Sequence, residues 1–129
     1  MLVPVNPPDE QWPGISKGVI LQGKGIFLSS GHVALDETGE PLEGDFEAQV
    51  TAVFESIGRT LKAAGLGFDS VARLVTYVTD YEPSMVETIR TVRRRYLSQD
   101  RPPASVLVAA AALYDPRLRI EVEVTAVVP

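Results

Sequence analysis

Two stretches, VARLVTYVT at residues 71–79 and SVLVAAAA at residues 105–112, are apolar on both faces when drawn as β-strands. In the first, Val71, Val75 and Tyr77 alternate with Ala72, Leu74 and Val78; in the second, Val106, Val108 and Ala110 alternate with Leu107 and Ala109. A sheet with one wet face would instead alternate apolar with polar. Both faces of these strands therefore need cover. The rest of the chain offers only two helical patterns, and right-handed crossovers pack both against the same side of a sheet. No further element is left for the other side, so that face is expected to meet other copies of the same chain.

The remaining elements follow from local chemistry. Residues 1–14 hold four prolines together with Asp9 and Glu10, which predicts an extended, irregular N-terminal arm pinned by Trp12. The β-prone stretches 19–22 and 26–30 flank Gly23-Lys24-Gly25, a turn signal that predicts an opening hairpin. Asp45 caps a helix whose apolar positions are Phe46, Val50, Val53, Phe54, Ile57 and Leu61, and Gly65 suits the left-handed stop beyond it. Pro83 opens a second helix with Val86, Ile89, Val92 and Tyr96 facing inward, and Arg101-Pro102-Pro103 ends it. Strands at 105–112 and 119–128 follow, joined across Tyr114-Asp115-Pro116. The order is β-β-α-β-α-β-β, an α+β domain over residues 15–129 with two helices on one face of a mixed sheet.

Composition removes whole classes of chemistry. A length of 129 residues fits one domain, and the absence of cysteine excludes disulfides and thiolate sites. With a single histidine, a protein-only zinc site is not expected. Seventeen acidic against 12 basic side chains give a net charge of −5, which disfavours phosphate backbones and anionic membranes. The opening MLVPVNPPDEQWPG lacks a basic segment followed by an apolar core, and no apolar run reaches membrane-spanning length, so a cytoplasmic protein is expected.

Residues 102–128, PPASVLVAAAALYDPRLRIEVEVTAVV, resemble the carboxy-terminal signature of the RidA/YjgF family. FLSSGHVALDETGE at 27–40 and FEAQVTAVFESIGRTLKAAGLGFDSVARLVTYVTD at 46–80 resemble its second strand and turn, and its first helix and third strand. Together the blocks span about residues 15–128. The resemblance implies a chorismate-mutase-like homotrimer with ligand clefts between subunits and hydrolysis of reactive enamines and imines, without a metal or organic cofactor. It assigns the pocket to Ser30, Gly31, Ser105, the Leu107 main chain and Glu121. The chain departs from the deaminating pattern at Lys17, where many members carry tyrosine, at Thr88 for asparagine and at His32 for glutamine. At Ser105 it lacks the arginine that binds the substrate carboxylate in the deaminating branch.

The chemistry of these residues sets the expectations. An arginine at 105 would clamp a carboxylate with paired, charge-assisted hydrogen bonds; a serine cannot replace that fork, though its hydroxyl could bind a neutral carbonyl or amide, and with no base near it in sequence it also reads as a small strand residue. Glu121 and Glu123 project from one face of their strand, roughly 7 Å apart, as a solvated strand face would also place them. The resemblance gives the proton-handling role to Glu121 rather than Glu123. His32 could reach the same cleft or lie on the polar surface, and Lys17 could replace the missing charge or be an exposed lysine. Arg90 and Arg93-Arg94-Arg95 spread around a helix, and with Glu82, Glu87 and Asp100 nearby they read as a salt-bridged solvent face rather than a nucleic-acid patch. The leading reading is recognition of a small carbonyl, imine or enamine metabolite, with hydrolysis as its chemical extension. A noncatalytic metabolite-binding or regulatory trimer is the alternative, and an endoribonuclease ranks last.

Overall fold

The computed structural model describes residues 1–129. Its elements are β1 (Leu2–Val5), β2 (Gly18–Leu21), β3 (Gly25–Leu28), β4 (His32–Val33), α1 (Phe46–Ala63), β5 (Val71–Val78), α2 (Ser84–Arg93), β6 (Ala104–Ala109) and β7 (Ile120–Val128). The main sheet runs β3-β7-β5-β6, with β4 also paired to β7. Only the β5–β6 pair is parallel, because α2 forms the crossover between these strands; β3, β4 and β5 all meet β7 antiparallel. The architecture is the expected α+β class, with both helices on one side of a mixed sheet. Neither helix is long and apolar enough to cross a membrane.

Helix α1 forms where its sequence says it should. Asp45 Oδ1 accepts from the Ala48 main-chain N–H at 2.8 Å, satisfying one orphan donor of the first turn. Val50, Val53, Phe54, Ile57 and Leu61 are buried, and Gly65 takes φ +74° just past the last turn. From α2, Met85, Ile89 and Val92 join this core against Leu74, Val78, Ile120, Val122 and Val124 of the sheet. Tyr96, beyond the end of α2, stacks on Phe54 with ring centroids 5.4 Å apart.

The opening hairpin is not present. Strand β3 pairs with β7, Gly25 opposite Val128 and Leu28 opposite Thr125, while β2 pairs with β1, Leu2 opposite Leu21. A lone two-stranded hairpin buries little, whereas β3 joined to the nine-residue β7 extends an existing sheet. The N-terminal arm is accordingly not irregular throughout. Its first residues form β1, and Leu2, only 3% exposed, packs with Val19 and Leu21 on Ala72 and Val127. Leu2 rather than Trp12 holds the arm; Trp12 is 58% exposed.

The β1–β2 ribbon covers only one end of the sheet face opposite the helices. Ile26 and Leu28 of β3 and Val106 and Val108 of β6 lie on that face by register and remain exposed. Val75, Tyr77, Glu121, Glu123 and Thr125 lie between them.

Candidate functional site

The sheet divides the sequence-predicted site residues into two groups on opposite faces. Glu121 projects away from the helices, opposite Tyr77 on β5 and Val33 on β4. Its carboxylate lies against Gly31, so closely that a Cβ there would fall 2.3 Å from Glu121 Oε2. A glycine at 31 is what gives the carboxylate room. The neighbouring Glu123 is already engaged: it accepts from the Tyr77 hydroxyl at 2.8 Å. That hydrogen bond first, then burial and the charges of Glu123 and Glu121, hold the Tyr77 phenol above the usual tyrosine range. Glu121 takes part in none of the chain's ion pairs.

Ser105 and Leu107 project to the helix side, in register with Leu74 and Thr76. Between β6 and α2 they border a cavity of about 190 Å³ lined also by Ile15, Thr76, Val86, Ile89, Arg90 and Arg93. Arg93 is only 8% exposed, and its Nη1 donates to Ser105 Oγ at 3.4 Å. Burial first, then the nearby cations Arg90 and Arg94, push this guanidinium below the ordinary arginine range. The expected salt-bridged face holds for Arg90, 4.0 Å from Glu87, and for Arg95, 3.5 Å from Glu47. It does not hold for Arg93, which lies one turn beyond Ile89 and so turns inward with the apolar stripe. The i+4 relation to Ile89 was the signal in the sequence that could have found it.

The other candidates fall outside these two groups. His32 is turned toward α1: its Nδ1 meets the Ser30 carbonyl at 2.8 Å and its Nε2 the Thr60 hydroxyl at 2.7 Å. By register it shares the side of Val122, not that of Glu121. The exposed Ser30 accepts through the same carbonyl from Ser29 Oγ. Thr88 returns its hydroxyl to the Ser84 carbonyl along α2, and Lys17 is exposed, its main-chain N–H donating to Asn6 Oδ1. No three His, Asp or Glu side chains gather as a metal site. Ser105 has a guanidinium beside it rather than a base, an arrangement for binding rather than nucleophilic attack.

The fold defines the class, a two-helix α+β domain in which Glu121 and Glu123 share the open sheet face while Ser105 and Leu107 border a cation-lined cavity under the second helix. Comparison with known proteins makes this specific: the chain belongs to the family whose model is described as Endoribonuclease L-PSP, the family of the YjgF and RidA proteins, which matches residues 16–128. The chain is 34% identical to the RutC family protein YjgH of Escherichia coli over 104 residues, covering 81% of this chain and 76% of that protein. It is 36% identical to protein DfrA of Myxococcus xanthus over 107 residues, covering 81% and 77%. A Rid family protein of unknown function from Yersinia pestis superposes with a TM-score of 0.86 at 28% identity, covering 98% of both chains. RidA from an Antarctic Psychrobacter gives 0.72 at 28% identity, covering 98% of this chain and 94% of that one.

Proposed function

We propose that the protein is a homotrimer that binds, and hydrolyses, a small carbonyl, imine or enamine metabolite in clefts between subunits, without a cofactor. The observation that carries this reading is the division of the pocket: Glu121 with Gly31 lies on one face of the sheet, Ser105 and Leu107 on the other. Two copies must meet for these groups to surround one ligand. The exposed Ile26, Leu28, Val106 and Val108 supply the apolar surface for that meeting. Glu121 manages the proton of a water adding to the C=N bond, and Ser30, Ser105 and the Leu107 main chain orient the ligand. Such a protein acts in the cytoplasm.

Hydrolysis of the 2-iminoacids made from serine or threonine is expected to be weak. The cation near Ser105 sits at the serine hydroxyl itself, not at the tip of a long side chain rooted at 105. Generating the iminoacid with a pyridoxal-phosphate dehydratase and following its loss, beside sedimentation of the same sample, tests both halves. Turnover equal to that of an arginine-bearing relative, or a stable folded monomer at micromolar concentration, would overturn the corresponding half. A noncatalytic, ligand-binding trimer is the second reading, favoured by Ser105 having Arg93 and no base as its partner. Wild type that binds ligand with no turnover above the uncatalysed rate, and Glu121→Gln that binds it equally well, select it.

A further inference from the structure

Arg93 is more than nine-tenths hidden, yet no carboxylate lies within ion-pairing distance. The charged groups that most affect it are the cations Arg90 and Arg94. Its one side-chain hydrogen bond goes to the neutral hydroxyl of Ser105. A buried guanidinium left so is costly to the fold, and groups that break the local rules of packing are concentrated where a ligand completes them. Space for one is present. The cavity beside β6 has Ile15, Val86, Ile89 and Leu107 as its apolar walls and Thr76 and Arg90 beside them, and a hollow of about 310 Å³ lined by Trp12 and Arg94 shares Arg90 and Arg93 with it.

We propose that Arg93, reaching in from α2, is the anion-binding residue of the cleft, holding the carboxylate of a small ligand with an apolar body against Ser105. The assignment rests on the intersubunit reading above and names the ligand class that reading leaves open. A planar guanidinium matches the two oxygens of a carboxylate, and Ser105, accepting from Arg93, keeps its own hydroxyl hydrogen for the same group. The aliphatic walls take up the rest of the ligand. Because the cation sits at the root of β6 rather than at the end of an arginine rooted there, the anionic end lies deeper. The ligand that also spans to a partner copy's carboxylate is therefore longer than a serine- or threonine-derived iminoacid.

Butyrate and its neutral isostere butyramide provide the test, titrated into the whole purified protein by calorimetry or ligand-detected NMR. Wild type is expected to bind butyrate and to bind butyramide about 30-fold more weakly or worse, the usual consequence of losing one side of a buried charged pair. Arg93→Gln should abolish the preference, Arg93→Lys should keep part of it, and Arg95→Gln, altered on the exposed surface, should keep all of it. Arg93→Gln binding butyrate as wild type does, or wild type failing to prefer butyrate over butyramide, overturns the assignment. Should Arg93→Gln not fold, Arg93→Lys decides: full retention of affinity shows that no fork is used. The underlying reading fails separately, through sedimentation as a monomer whatever Arg93 does.

Discussion

A cation buried without a counterion works against the fold that holds it. Replacing Arg93 by methionine, which keeps the length and drops the charge, should raise unfolding stability in ligand-free urea titrations by about 1–4 kcal/mol, and saturating carboxylate should close the gap by stabilising wild type alone. Ser105→Arg tested alone would set a second guanidinium against the first. The informative variant is the exchange, Arg93→Ser with Ser105→Arg, which is expected to gain iminoacid turnover over wild type in the coupled dehydratase assay. At position 31, an added methyl collides with Oε2, Cδ and Cγ of Glu121. Gly31→Ala should therefore reproduce the kinetic loss of Glu121→Gln while circular dichroism stays native. That Glu121 and Ser105 lie on strands was legible because runs of β-branched and alternating residues surround both. Arg93 was hidden by its neighbours: three arginines in a row look like a solvated surface until the stripe from Met85 to Ile89 is followed one turn further.

Among elements, α1 and β5 could be read to within a residue or two because their signals are local: a cap, a 3.6-residue stripe, a run of β-branched side chains. Strand partners are nonlocal information. Gly23 resembled a hairpin turn, but its decisive contact is with β7, where a Cβ would stand 2.3 Å from the Val128 carbonyl and 2.7 Å from Val127 Cγ2. Backbone cannot give way as a flexible side chain can. Gly23→Ala is expected to cost roughly 1–3 kcal/mol in chemical denaturation, through strain at the β3–β7 margin. The turns carry the acid sensitivity. Hydrogen bonds from Thr38 and Glu40 lower the Asp36 pKa, and the Arg117 side chain and main chain lower that of Asp115. Both carboxylates thus titrate lower folded than unfolded, so their contribution is complete above the ordinary aspartate range, near pH 4, and is lost as pH falls through the folded values. Asp36→Asn with Asp115→Asn should flatten the acid limb of a stability-versus-pH curve and leave its neutral plateau shape intact.

For the whole molecule, the face opposite the helices is the governing feature. Leu28 is 73% exposed, so Leu28→Asp removes little from the subunit's own core and should act on association instead. Sedimentation is expected to show trimer for wild type and smaller species for this variant, with secondary structure unchanged. A net charge of −5 and the inward turn of Arg93 leave little basic surface for nucleic acid, so ribonuclease activity should decline to background through successive columns. In the proposed trimer, a cleft that draws on opposite faces of two chains also makes its defects separable. A chain crippled at Glu121 and another crippled at Arg93 would each be silent as pure assemblies. Unfolded together and allowed to reassemble, they would form mixed rings in which the sound half of one chain meets the sound half of the other, and function would return from two inactive parents.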